Sequence, residues 1–183
     1  MKNRRKLLVY FIVLVVLIAV GIVVKNSLSA TSTPNQSGKM TIKAATANKQ
    51  LDKEFKIALK DGKGEEIDGI TMRLENIEIR DEIIVQGQKA NSVVGRSFLV
   101  VNMKVVNALP QAVEVNTKDY LRLGVNENEW LAPDIHNDPV LVQAISTKPT
   151  RVGFPVDSGL THFTLQLGEI AGEKEKVEID FTQ

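Results

Sequence analysis

Apolar side chains fill the positions from Leu7 to Val24, a run of 18 residues without a charge. As an α-helix at about 1.5 Å per residue, the run reaches roughly 27 Å, close to the ~30 Å hydrocarbon thickness of a bilayer. Four cations lie between residues 2 and 6, and no acidic residue precedes Asp52. Because cations beside an apolar helix stay cytoplasmic, the pattern predicts a single-pass anchor in the lipid bilayer, with the N-terminus cytoplasmic and the C-terminal part extracytoplasmic.

A cleaved secretory signal is the alternative interpretation of this run, since both segments share a basic start and an apolar centre. The apolar centre of a signal is usually about 7 to 15 residues, which is shorter than this run. Small residues that suit cleavage follow at Ser27 and Ser29, and others occur at Ala19 and Gly21. A secreted, signal-cleaved form is therefore the alternative to the anchored form.

Residues 26–50 are rich in Ser, Thr, Asn, Ala and Lys and contain almost no large apolar side chains. Such a segment cannot bury enough apolar surface to offset the entropy lost on ordering. We therefore predict three parts: a basic tip and anchor in residues 1–25, a disordered spacer in residues 26–50, and one exported domain in residues 51–183. A domain of that length can hold a sizeable core.

After the spacer, apolar positions recur at every second residue, which is the period of a half-buried β-strand. The apolar positions change parity between Leu74 and Ile77, so a bulge near Glu75 and Asn76 would keep both sets inward. The alternation predicts strands near residues 55–60, 70–79, 83–85, 98–106, 119–125, 130–131, 151–156, 161–167 and 176–181.

Residues 98–106 form the strongest predicted strand, because they are apolar on one face throughout and on both faces at their start. That pattern is typical of a central strand covered on both sides at one end. Residues 134–149 are ambiguous: Asp138 before Pro139 suits a helix start, and a strand is the alternative. Short strands without a long amphipathic helix predict an all-β fold, an antiparallel β-sandwich.

Composition narrows the possible partners and the forces that hold the domain. After residue 25 the chain has 18 basic and 22 acidic residues, a net charge of −4. A mildly acidic, mixed surface argues against nucleic-acid binding. The chain has no cysteine, so disulfide bonds and thiolate metal sites are excluded. The hydrophobic core alone must hold the predicted domain together.

No nucleophile elbow, phosphate loop or HExxH motif occurs in the chain. Ser97 precedes a core strand and Ser158 lies in an Asp-Ser-Gly turn, so both are interpreted as structural. His162, beside an apolar strand residue, is interpreted as an outward strand position. The sequence therefore predicts a protein without catalytic residues and without a cofactor.

Asp134, His136 and Asp138 are the one constellation that suits a metal. The three recur at every second position, so an extended segment would project them to the same side. Carboxylate and imidazole ligands suit a divalent cation. A solvated loop is the simpler interpretation, so we predict no metal ligand, and a metal-dependent envelope enzyme is the alternative function.

The connection between residues 126 and 149 is the candidate binding surface. It contains the only tryptophan, Trp130, together with Pro133, Ile135 and His136. Exposed aromatic and apolar side chains of this kind dominate the energetics of interfaces. The alternative is that Trp130 plugs one end of the sandwich core.

Residues 95–107, with a glycine, an apolar strand and the closing Asn107, resemble the DUF4352 family. The segment from Arg151 to Val156 is also similar to the family, in this case to its late GxxxFxVP-like strand. The resemblance implies a telokin-like, immunoglobulin-like sandwich on an exported bacterial protein, and it brings no catalytic residues. We therefore expect an interaction or ligand-binding module of the cell envelope, whose partner is another envelope or secreted protein.

Overall fold

A computed structural model describes residues 41–60, 63–85, 87–169 and 172–182. The predicted anchor, residues 7–24, lies outside these ranges, as do the first 15 residues of the predicted spacer, residues 26–40. No helix within the described ranges is long and apolar enough to cross a membrane.

The described residues form antiparallel β-strands and a short 3₁₀ helix at Thr117–Asp119. The strands are β1 (Ala47–Lys60), β2 (Glu66–Arg80), β3 (Glu82–Val85), β4 (Gln88–Asn91), β5 (Arg96–Asn107), β6 (Val113–Val115), β7 (Leu121–Gly124), β8 (Trp130–Leu131), β9 (Ile135–His136), β10 (Val140–Val142), β11 (Ser146–Asp157), β12 (His162–Leu167) and β13 (Glu175–Asp180).

Two larger sheets enclose one hydrophobic core. The first has the strand order β1-β2-β5-β11-β9 and the second β13-β12-β7-β8, while β10-β6 and β3-β4 form separate pairs. Fully buried side chains from both sheets, including Leu99, Phe154, Leu121 and Leu165, belong to the same cluster. The prediction of an all-β, antiparallel sandwich is confirmed.

Strand β5 is central, as predicted, with β2 on one side and β11 on the other. Val100 points away from the main core yet is only 3% exposed. The β3-β4 hairpin lies on this outer face, where Arg151 donates a hydrogen bond to the carbonyl of Ile84 at 2.5 Å. The prediction that this strand is covered on both faces at one end is therefore confirmed. No strand was predicted in the segment that forms β4.

The predicted bulge is also present. The pairing of β2 with β5 shifts register between Leu74 and Asn76, and β1 shifts opposite the same place, between Gln50 and Lys53. The extra residues keep the apolar positions on both sides of the bulge directed into the core.

The helix alternative for residues 134–149 is wrong, and the strand alternative is confirmed by β9, β10 and the start of β11. The peptide bond between Asp138 and Pro139 is cis. The Asp138 carboxylate accepts hydrogen bonds from the backbone N–H groups of Thr117 and Lys118 instead of capping a helix of its own. The acceptor that suggested a helix start thus caps a 3₁₀ helix elsewhere in the chain.

The ordered domain begins before the predicted boundary at residue 51. Strand β1 starts at Ala47, and the backbone N–H of Lys43 donates to the Glu82 carboxylate at 3.0 Å. Contacts within the chain group Met40–Gln183 as one compact unit. The strand signal in the sequence is weak here because Ala47, Asn48 and Gln50 have little apolar surface. Their pairing with β2 is what orders them.

The described chain begins at one end of the sandwich, called here the proximal end. The backbone N–H of Thr46 donates a hydrogen bond to the carbonyl of Ile79 at this end. Strand β5 begins and strand β11 ends at the same end, where Arg96 pairs with Asp157. The loop of residues 92–95 and the loop of residues 158–161 therefore lie at the proximal end. The opposite, distal end holds the loop between β12 and β13.

Candidate interaction surfaces

Trp130 lies on the outer face of the four-stranded sheet. It pairs across the strands with Gly124, which alternates with the buried Leu123 and so faces away from the core. A β-carbon at Gly124 would be 3.1 Å from the indole Cζ3, closer than ordinary van der Waals contact, so a larger residue there would require the ring to shift. The interpretation of Trp130 as a plug of the sandwich core does not fit this position.

The half-buried indole forms one wall of a groove of about 210 Å³. The ammonium of Lys176 lies 5.4 Å from the ring centroid, within the range of a cation–π contact. Val125 adds a second apolar side chain, and the remaining lining side chains are polar and are those of Asn126, Glu127, Thr164 and Glu178. The groove therefore offers the rim of one aromatic ring among hydrogen-bonding groups.

The other three residues of the candidate binding surface do not form a group of exposed side chains with Trp130. Pro133 is buried, and Ile135 is half-buried with its side chain 3.3 Å from where a β-carbon on Gly153 would lie. The side chain of His136 is 31% exposed. Of the four residues, Trp130, Ile135 and His136 are partly exposed, and Pro133 is buried.

Asp134, His136 and Asp138 do not converge as metal ligands. Asp134 is exposed, whereas the Asp138 side chain is only 1% exposed and accepts from Thr117 Oγ1 at 2.6 Å as well as from two backbone N–H groups. The His136 Nδ1 accepts from the Asp138 N–H at 3.3 Å. Among the described residues no group of three His, Cys, Asp or Glu side chains is arranged to hold a metal ion.

The remaining sequence candidates have structural partners. The Ser97 hydroxyl is buried and donates to Asp81 at 2.9 Å, and the backbone N–H of Ser158 donates to the Gly95 carbonyl. His162 is exposed on β12, opposite Asp180. Their interpretation as structural or outward residues agrees with these positions.

A larger cleft opens between the edges of the two sheets near the distal end. The edge strands β1 and β13 are tied together where Lys49 donates to the Asp180 carbonyl at 3.0 Å and where Lys53 and Glu175 form an ion pair at 2.7 Å. Beyond Lys53 the edges border a cleft of about 480 Å³. Pockets for small ligands commonly have about this volume.

The cleft combines an apolar lining with side chains of both charges. Phe55, Ala58 and Leu167 supply apolar surface, Glu169, Glu173 and Glu175 supply negative charge, and Lys56 and Lys174 supply positive charge. Gly168 has φ of +132°, and a β-carbon there would meet the Glu173 carbonyl at 2.4 Å, so the loop closes only around glycine. The arrangement suits a ligand with an apolar part and polar groups.

An aromatic contact lies behind the cleft. The ring centroids of Phe55 and Tyr120 are 6.4 Å apart. Burial raises the pKa of Tyr120, and the nearby charges of Glu169 and Asp119 add to that increase. The phenol therefore stays neutral at physiological pH.

Glu82 forms a buried charged centre at the proximal end. Its carboxylate, 8% exposed, pairs with Lys89 at 2.8 Å and accepts the backbone N–H of Lys43. The Lys89 hydrogen bond and then the Lys43 N–H lower the pKa of Glu82 from 4.5 to about 2. This carboxylate fastens both the first described residues and the β3-β4 hairpin.

Comparison with known proteins gives similar folds without an assigned activity. No protein-family model and no curated protein matches the chain. An uncharacterised β-sandwich protein from Clostridium difficile 630 is 14% identical, with a TM-score of 0.47 over 61% of this chain and 86% of that chain. A conserved hypothetical protein from Bacillus anthracis is 10% identical, with a TM-score of 0.48 over 72% of this chain and 97% of that chain.

A third solved structure is a functionally unknown protein from Listeria monocytogenes EGD-e. It is 10% identical to this chain, with a TM-score of 0.44, and the match covers 75% of this chain and 86% of that chain.

Sequence reasoning did not find the cleft. Phe55 and Leu167 carry the alternation of ordinary core residues, and no local pattern shows that β1 and β13 separate beyond Lys53. The nearest signal was the cluster of glycines and acids between residues 168 and 175, which indicates a shaped loop but not what it faces.

Proposed function

We propose that the protein is a membrane-anchored, extracytoplasmic β-sandwich of immunoglobulin-like type that acts as a protein-interaction or ligand-binding module of the cell envelope. The order of segments carries the proposal: a basic tip and an 18-residue apolar run precede a polar stretch and then a domain with its own complete core. An anchor, a spacer and a self-contained sandwich suit the display of a binding surface outside the membrane.

The two concave surfaces support binding as the task of the displayed domain. The cleft beside Phe55 lies towards the distal end, away from the point at which the described chain begins. The Trp130 groove lies on the outer face of the second sheet. Either surface remains accessible to an envelope or secreted protein while the N-terminal side is held at a bilayer.

The likeness of residues 95–107 to the DUF4352 family supports the same proposal, because that family is exported and immunoglobulin-like. No observation among the described residues favours the alternative of a metal-dependent enzyme, since the Asp138 carboxylate is already occupied by Thr117 and Lys118. We therefore retain the module as the proposed function and expect no catalytic role.

Protease treatment of intact cells that express the full chain tests this proposal. The domain should be digested without permeabilisation, and full-length chain should stay in the membrane pellet after alkaline washing. Protection of the domain would contradict the proposed orientation. Recovery of shortened chain from the medium would instead support the secreted form and overturn the anchored one.

A further inference from the structure

Three of the seven exposed large aliphatic side chains among the described residues lie in two adjoining loops at the proximal end. Val94 is 105% exposed, Val93 71% and Leu160 49%, although aliphatic residues at turn tips normally give way to polar ones. The loops are joined by a hydrogen bond of 2.9 Å from the Ser158 N–H to the Gly95 carbonyl. The three side chains are called the apolar tip.

The loop that carries the two valines is a defined turn. The Arg96 N–H donates to the Val93 carbonyl at 3.0 Å, and Gly95 has φ of +83°, a conformation that favours glycine. Arg96 also pairs with Asp157 at 2.7 Å. The valines are therefore held outward by the backbone, and the nearest charges are neutralised by each other.

We propose that the apolar tip rests in the interfacial layer of the lipid bilayer that holds the anchor. This inference deepens the proposed function and depends on it. The described chain begins at the same end as the tip, and 16 residues separate Val24 from Thr41.

The point at which the chain enters the domain favours the proximal end for this contact. Strand β1 has 14 residues and, at about 3.4 Å per residue, is roughly 45 Å long. Because the described chain begins at the proximal end, the distal end lies about this much further from the point at which the chain enters the domain. Contact with lipid removes the apolar tip from water.

Three aliphatic side chains bind a bilayer weakly on their own, since stable membrane attachment needs more buried apolar area or a second signal. The anchor supplies that second signal by keeping the tip at a high effective concentration next to the surface. Contact would restrict the orientation of the domain and hold the distal cleft outward. The tip thus orients the binding surface without adding an attachment site of its own.

Single-cysteine labelling tests the inference directly, because the chain has no native cysteine. Full-length Val94→Cys and Ile145→Cys are each labelled with the polarity-sensitive fluorophore NBD and reconstituted into phosphatidylcholine vesicles with and without doxyl-labelled phosphatidylcholine. Ile145, 77% exposed at the distal end, is the matched control. The label at residue 94 should shift to the blue and be quenched at least twofold by the doxyl lipid, whereas the label at residue 145 should do neither.

Each other outcome contradicts the inference in a recognisable way. Equal quenching at residues 94 and 145 would show that the proximal end has no preference for lipid. A blue shift at residue 94 without quenching would show that protein, and not lipid, covers the tip. Adding Val93→Asp to the residue 94 label should reduce quenching, and unchanged quenching would exclude a contact made by the tip.

Flotation of the vesicles separates this inference from the proposed function. Chain that floats with the vesicles while residue 94 is not quenched keeps the anchored module and overturns the lipid contact. Chain that does not float overturns both, because the contact depends on the anchor.

Discussion

The indole of Trp130 packs directly on Gly124, where a β-carbon would lie 3.1 Å from Cζ3 and 3.4 Å from Cη2. The absence of a side chain at residue 124 therefore lets the ring lie across the outer face of the sheet. Since Trp130 is the only tryptophan, the tryptophan fluorescence of the protein reports on the surroundings of this one ring.

Gly124→Ala should displace the ring. We expect a red shift of the tryptophan emission and a loss of about 1 to 2 kcal/mol in the free energy of unfolding, because the added methyl overpacks the contact. Lys176→Met is the control, since it removes the ammonium near the ring but leaves the glycine seat. An Ala variant with unchanged emission and unchanged stability would contradict the packing of Trp130 on Gly124.

Asp138→Asn should destabilise the fold by about 2 to 4 kcal/mol in urea unfolding of the full-length chain in a neutral detergent. The buried carboxylate accepts from Thr117 and Lys118, and an amide would turn a donor towards one of those N–H groups. Asp134→Asn, two residues away and exposed, should change stability by less than about 0.5 kcal/mol. Equal effects of the two substitutions would refute a capping role for Asp138.

Stability should fall as the pH is lowered from 4.5 towards 2, in part through Glu82. Its pKa is lowered from 4.5 to about 2 in the folded state by Lys89 and Lys43, so the unfolded chain binds the proton more readily in this window. The contribution is fully present above pH 4.5 and is lost as the pH passes through the folded pKa.

Urea unfolding at several pH values measures this effect. Glu82→Gln should flatten the dependence on pH between 4.5 and 2, whereas Glu114→Gln, on an exposed position of β6, should leave it unchanged. The assignment to Glu82 fails if the wild type and Glu82→Gln lose stability in parallel.

Asn107→Asp should be strongly destabilising at neutral pH. The Asn107 amide, 1% exposed, donates to the carbonyls of Gln111 at 2.8 Å and Gln143 at 2.9 Å, and a carboxylate would place negative charge against them. We expect a loss of about 3 kcal/mol in urea unfolding, against less than about 1 kcal/mol for Asn102→Asp on the outer face of the same strand. Comparable losses would show that the carbonyl contacts are unimportant.

The sequence was sufficient for elements that depend on local pattern. The alternation from Phe98 onward predicted a central strand covered on both faces at one end, and the change of parity after Leu74 predicted the bulge. Both features follow from the requirement that apolar side chains face a core. The structural role of Ser97 and the outward position of His162 followed from the same alternation.

The positions that sequence reasoning missed depend on partners distant in the chain. Asp138 looked like the start of a helix because the sequence does not show which donor its carboxylate accepts from. In the fold that donor is the backbone N–H of Thr117, 21 residues earlier. Trp130 was assigned either to the core or to a docking surface, and pairing with Gly124 excludes the core by placing it on the outer face of a sheet. No local pattern contains those pairings, so only the fold could reveal them.

The position of the domain relative to the membrane is the central claim, and labelling with a membrane-impermeant maleimide in intact cells tests it most directly. Lys56→Cys places a thiol on an exposed position of β1, and Asn3→Cys places one before the apolar run. The account predicts immediate labelling at residue 56, labelling at residue 3 only after permeabilisation, and full-length chain in the membrane. Labelling at residue 3 in intact cells, or protection of residue 56, would contradict it.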